Sequence, residues 1–121
     1  MIIGLGTDII EIARIKKAVA RKHFRDNVFT ETEQVYCESR GKNSAASYAA
    51  RFAAKEAFFK ALGTGIVTQL TNVEIFNDGQ GAPHIFLRGK AKILVESMNV
   101  HKISVSLSHS RDFATAVCII E

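Results

Sequence analysis

Residues Arg51-Phe52-Ala53-Ala54-Lys55-Glu56-Ala57-Phe58-Phe59-Lys60-Ala61-Leu62-Gly63-Thr64-Gly65 set four charges into an otherwise apolar, alanine-rich segment that stops at glycine. Arg51 and Lys55 are four apart, as are Glu56 and Lys60, so on a helix each pair shares a face. Phe52, Phe58, Phe59 and Leu62 need burial, which brings the charges close to the core, where an ion is costly without a partner. A phosphate and a metal ion would supply such partners. The plainer alternative is an i,i+4 ion pair between Glu56 and Lys60, with the glycines closing the helix and the other charges solvated.

Two further segments bear on that choice. Gly4-Leu5-Gly6-Thr7-Asp8-Ile9-Ile10-Glu11-Ile12 alternates like a half-buried strand until Asp8 and Glu11 interrupt it. A carboxylate in such a strand has to be solvated, paired or bound to a metal. Val105-Ser106-Leu107-Ser108-His109-Ser110 reads as a strand closing in a hydroxyl-rich turn with one imidazole.

The opening Gly6-Thr7-Asp8-Ile9, then Phe29-Thr30-Glu31-Thr32-Glu33, the Arg51–Ala57 and Lys60–Gly65 segments, Gly81-Ala82-Pro83 and Ser106-Leu107-Ser108-His109 follow one another through a short chain. Together they resemble holo-[acyl-carrier-protein] synthase, the small group of the 4′-phosphopantetheinyl transferases. The resemblance runs almost end to end. Only Ser39 to Ser47 carries no assignable signature.

With 121 residues and 47% hydrophobic content, the chain is sized for one domain with a real core, and no repeat, linker or composition shift divides it. No apolar run approaches the roughly 20 residues of a membrane span, and residues 1–6 lack a signal peptide's pattern, so the expectation is a cytoplasmic protein. Cys37 and Cys118 have no metal-type spacing, and Cys118 reads as a core residue. The net charge of +4, from 16 Lys and Arg against 12 Asp and Glu, favours an anionic partner. Arg14, Lys16, Lys17, Arg21, Lys22 and Arg25 crowd into one segment without an acidic residue.

Ile2 to Ile10 is expected as a strand and Glu11 to His23 as a helix, with Ile12, Ile15 and Val19 as its apolar stripe and Arg14, Lys17 and Arg21 on another face. Thr30-Glu31-Thr32-Glu33 is a capping box for a helix to about Ser39. Asn43 or Ser44 is placed to cap the long central helix, which Gly63 ends in the left-handed conformation. Val73–Phe76 and His84–Arg88 flank a turn, Lys90–Met98 is helical, and Ile103–Ser108 and Phe113–Ile120 form a second hairpin. The expected order β-α-α-α-β-β-α-β-β makes an α+β fold of one domain, helices packed on a mostly antiparallel sheet.

The resemblance implies transfer of the 4′-phosphopantetheine arm of coenzyme A to a serine of an acyl carrier protein, with release of 3′,5′-ADP, in fatty acid biosynthesis. It implies Asp8 and Glu56 as ligands of Mg²⁺, an ion suited to pyrophosphate because it is held by one or two carboxylates plus phosphate oxygens and waters. Lys60, one turn beyond Glu56, is placed to stabilise the leaving phosphate, making Asp8, Glu56 and Lys60 the catalytic set. Arg51 and Lys55 suit the 3′-phosphate or the pyrophosphate of coenzyme A, and Lys55 equally suits a core carboxylate. Gly63, Thr64 and Gly65 offer backbone amides and a hydroxyl to a phosphate, or else only close the helix. His109 and Ser108 are candidates to bond a phosphate or position the acceptor, although a lone turn histidine is commonly just exposed. The family assigns Gly81 and Pro83 to the adenine end of coenzyme A, where their own chemistry specifies a turn. Glu56, a metal-bound water or the carrier's surroundings remain open as general base.

Acyl carrier proteins are acidic, so Arg14, Lys17 and Arg21 are expected to dock the carrier beside Asp8, against the alternative of a solvated basic helix. The family is typically a homotrimer with active sites between subunits. Two rival readings are a basic nucleic-acid-binding module and a coenzyme A-binding regulatory domain without turnover. The first is disfavoured by the missing nucleic-acid signature and by Phe residues in core-like patterns.

Overall fold

The computed structural model describes residues 1–121. Its centre is one helix, α4 (Ser44–Leu62), in which 13 of 19 residues are buried, so it is covered on nearly every side. Strands β1 (Gly4–Glu11), β4 (Ile103–His109) and β5 (Phe113–Ile120) form an antiparallel sheet in the order β1-β5-β4 against one side of it. Helices α1 (Ile12–Val19) and α3 (Glu31–Glu38) and strand β2 (Val73–Asn77) lie against other sides. Strand β3 (Pro83–Leu87) pairs with β2 in a separate hairpin, α2 (Lys22–Val28) follows α1, and α5 (Gly89–Ser97) links the hairpin to β4.

The register explains how β1 approaches the helix. Gly4, Gly6, Asp8 and Ile10 alternate onto the α4 side, opposite Ile120, Cys118, Ala116 and Ala114 of β5. A Cβ on Gly4 would stand 2.0 Å from the carbonyl oxygen of Ala61, and one on Gly6 2.0 Å from that of Ala57. Glycine is therefore what lets strand and helix backbones touch. Small residues on α4, among them Ala53, Ala54, Ala57 and Ala61, complete the close fit.

The expected α+β class and element order hold, with two local differences. The first helix breaks at Ala20–Arg21, where Arg21 is extended (φ −89°, ψ 117°) and Arg25 donates to the Val19 carbonyl at 3.2 Å. The bend turns Phe24 toward Phe29 and Phe52, ring centres 6.4 and 6.1 Å away, so tertiary packing overrides continuous helix. Asn43 stands at the N-cap of α4 but its side chain makes no capping bond. The chain enters through a 3-10 turn at Gly41–Asn43, and the Ser44 amide bonds to the Gly41 carbonyl instead. Thr30 and Glu33 form the expected capping box, Gly63 ends α4 at φ 77°, and Cys118 is buried.

The other face of the three-stranded sheet is bare. Leu5, Ile9, Phe113 and Val117 are exposed there. Gly6→Ala is expected to destabilise the fold by about 3 kcal/mol, the upper range for overpacking, because the obstructing atom is backbone; urea unfolding of the two proteins measures it, and a loss under about 0.5 kcal/mol would contradict the backbone contact.

Candidate functional site

Alternation after Gly4 and Gly6 delivers Asp8 to the same helix face. Its Oδ1 lies 3.0 Å from Lys60 Nζ, which also donates to the Thr7 carbonyl at 3.0 Å. The Asp8 side chain is 12% exposed, and its Oδ2 is buried with no hydrogen-bond partner. Such an orphaned carboxylate oxygen is costly unless something else occupies its lone pairs. Glu56, one turn before Lys60 on α4, is half-buried. Burial first, then the Asp8 charge, holds its carboxyl above the ordinary carboxylate range, while Lys60 and Arg14 oppose the shift. Asp8, Glu56, Lys60 and Arg14 thus share one electrostatic neighbourhood. The simple i,i+4 pair of Glu56 with Lys60 does not form, because Lys60 pairs across to β1 instead.

The chemistry of this set fits a divalent ion. No group of three or more His, Cys, Asp or Glu side chains exists that would make an all-protein cage. Two neighbouring carboxylates, one with an unsatisfied oxygen, match an ion such as Mg²⁺ that takes its other ligands from phosphate and water.

A second group gathers elsewhere. Arg51, Gly81, Pro83 and His109 line a cavity of about 210 Å³ with Tyr36 and Asn77. Arg51 is buried, stacks 4.0 Å from the Tyr36 ring centre, and donates to Asn77 Oδ1, while its Nε has no partner. Asn77 Nδ2 donates in turn to the Gly81 carbonyl at 3.0 Å, linking Arg51 to the hairpin turn. The cavity of about 300 Å³ beside Asp8 and Lys60 shares no residue with this one. Asp8, Glu56 and Lys60 therefore form one cluster within the chain, and Arg51, Gly81, Pro83 and His109 another.

Two expectations need correction. Lys55 faces no cavity: its side chain is 0% exposed and bonds to Glu33 Oε1 at 2.7 Å, so the core-carboxylate alternative is the one realised. Ser106 and Ser108 lie in strand β4 as expected, but His109 ends that strand instead of opening the turn, and alternation puts Ser108 on the sheet face opposite Leu107 and His109. Gly63, Thr64 and Gly65 lie exposed beyond α4, near Lys60 in sequence, with the Thr64 hydroxyl donating to the Gly65 carbonyl at 2.9 Å.

Arg14, Lys17 and Arg21 rim a groove of about 510 Å³ whose apolar walls include Ala18, Phe24 and Phe52. The sequence reading found the basic rim and missed the apolar floor, which the bend at Arg21 creates. It also missed Tyr36 and Asn77, which carry no motif of their own. Phe76 and Phe86 depart from the core-like expectation: the two-stranded hairpin covers only one of its faces, leaving Phe76 against His84 and Phe86 beneath Arg88.

A family model described as the 4′-phosphopantetheinyl transferase superfamily matches residues 4–118. The chain belongs to this family. It is 50% identical over 120 residues to a holo-[acyl-carrier-protein] synthase of Ruminiclostridium cellulolyticum, covering 96% of this chain and 90% of the relative. The crystal structure of holo-[acyl-carrier-protein] synthase from Neisseria meningitidis superposes with a TM-score of 0.91 at 34% identity, covering 100% of this chain and 99% of that one. That of the Helicobacter pylori enzyme, in complex with coenzyme A, gives 0.84 at 35% identity, covering 97% and 99%.

The raised Glu56 carboxyl has a measurable consequence. The folded protein holds that proton more tightly than the unfolded chain, so stability falls as pH rises from the ordinary carboxylate value through the raised one. With chelator present, Glu56→Gln is expected to raise Tm at about pH 7 and to lose that advantage near pH 4. An equal Tm difference at both pH values would contradict the assignment.

Proposed function

We propose that this chain transfers the 4′-phosphopantetheine group of coenzyme A to a serine of an apo acyl carrier protein, giving holo carrier and 3′,5′-ADP. The observation that carries the reading is Asp8, with its orphaned buried oxygen, beside Glu56 and Lys60, in a chain of this family. In the transfer the serine oxygen bonds to the phosphorus bearing the pantetheine arm, and the bond from that phosphorus to the oxygen of 3′,5′-ADP breaks. Asp8 and Glu56 would hold Mg²⁺, which supplies charge neutralisation at the pyrophosphate. An ammonium has three protons, and Lys60 commits two to Asp8 and the Thr7 carbonyl, leaving one to stabilise charge on the leaving phosphate. Arg51 and His109 offer charge and hydrogen bonds to a further phosphate, and the Gly81–Pro83 turn a rigid wall beside them.

The groove under Arg14, Lys17 and Arg21 suits an acidic carrier, since it combines cationic rim with apolar floor. Arg14 on its rim acts electrostatically on Glu56, which links the groove to the Asp8 cluster. On this reading the chain acts in the cytoplasm and serves fatty acid biosynthesis. No helix is long and apolar enough to cross a membrane.

The assembly in this reading is a homotrimer with active sites between subunits. Its support is the bare apolar sheet face and the division of the site residues between two cavities, each small for a ligand as large as coenzyme A.

Incubation of apo carrier with coenzyme A and Mg²⁺ should add the mass of the phosphopantetheine arm, read by mass spectrometry, and Asp8→Ala should abolish it with the fold intact. Transfer by the variant at wild-type rate would remove Asp8 from the site. For the assembly, light scattering of the wild type should give the mass of three chains. Leu5→Glu, on the bare face and away from Asp8, should give one chain without transfer. A fully active wild-type monomer would overturn the trimer.

A further inference from the structure

Two charged side chains are wholly enclosed outside the site just described. Glu33 and Lys55 are both 0% exposed at the side chain and bond at 2.7 Å. Glu33 Oε1 also accepts the Thr30 amide at 2.8 Å, and its Oε2 accepts the Ile75 amide at 2.8 Å. Lys55 donates a second bond, 2.9 Å, to the Leu70 carbonyl. One enclosed pair therefore joins the start of α3, the middle of α4, the 3-10 turn at Leu70–Asn72 and strand β2. Apolar residues of similar volume often stabilise a core as well as a buried ion pair does, so what distinguishes this pair is the direction of its bonds.

Those bonds end at the loop that follows Lys60. From Thr64 to Thr68 the chain makes no main-chain hydrogen bond, and Gly65 adopts φ +70°. The loop is fixed at its start by the Gly63 amide on the Phe59 and Lys60 carbonyls. It is fixed at its far end by Lys55 on Leu70 and by Asn72 Nδ2 on the Thr68 hydroxyl at 2.9 Å. Holding Leu70 therefore limits where the unpaired amides of the loop, which starts three residues after Lys60, can stand.

We infer that Glu33 and Lys55 are positioning residues: the pair fixes the Leu70 end of the Gly63–Leu70 loop and so holds the loop's free amides ready for a phosphate of coenzyme A. The inference rests on the transfer reading above for its ligand. The capping box at Thr30 and the lysine in the central helix, two sequence motifs with no part in the Asp8 cluster, become one device.

The double variant Glu33→Gln, Lys55→Met removes both charges together and leaves none unpaired in the core, but deprives the Leu70 carbonyl of its donor. Its loop amides 64–68 are expected to show lower NMR order parameters than in the wild type. Its KM for coenzyme A should rise about tenfold or more, with kcat changed less than about threefold. A purely structural pair would lower Tm while leaving the loop order parameters, KM and kcat per folded molecule unchanged, and that outcome overturns the inference. Wild-type exchange supplies a second arm should the variant not fold: coenzyme A, at a saturation fixed by calorimetry, should slow exchange at residues 64–68, and no slowing overturns the positioning role. A wild type that neither binds coenzyme A nor modifies a carrier would refute the transfer reading itself. Loop order parameters in the free double variant would still decide whether the pair holds the loop.

Discussion

The contact between the backbones of β1 and α4 is the constraint on which the site depends. Two side-chain-free positions let the strand sit on the helix carbonyls, and the period of two then carries Asp8 onto the helix at the height of Glu56 and Lys60. A methyl group at Gly6 would push the strand outward and lengthen every distance between the first carboxylate and the helix. The alanines of α4 serve the same end from the other side. The geometry of the site is set by the absence of side chains more than by their presence.

The two lysines of α4 show how position decides what a charge does. Lys55 points into the core, where Glu33 and the Leu70 carbonyl occupy it fully, and desolvation first of all pulls its ammonium below the ordinary lysine range, against the opposing charge of Glu33. Lys60, just over one turn on, is half-exposed and shares Asp8 with an oxygen that nothing satisfies. The first arrangement is closed and directs the chain. The second is incomplete and can accept a ligand.

Much of this was legible in sequence. The periods of two and 3.6 gave the strands and helices, the glycine after Leu62 marked the end of α4, and the charged positions of that helix pointed to a bound anion. The unreadable parts are those set by distant packing. Nothing local to Ala20–Arg21 announces a bend that Phe24 makes favourable by reaching Phe29 and Phe52. Spacing alone left Lys55 divided between a phosphate and a carboxylate, since a helix face has a direction only once its neighbours are placed. Asn77 looked like an ordinary turn residue until Arg51 was found against it, and Glu33 looked like a cap until its second oxygen was found on Ile75.

Strand order has an outcome for how the protein comes into being. β1 is made first, yet its only strand partner is β5, with Gly4 opposite Ile120 and Glu11 opposite Phe113. While the chain is still emerging from the ribosome, the strand that bears Asp8 has a helix to lie on but no ladder to join. Pairing across nearly the whole length of a chain is entropically late. The strand that carries Asp8 thus gains its ladder only once β5 has been made, and a chain cut before β5 would leave that strand's edge open to aggregation instead of building a partial site.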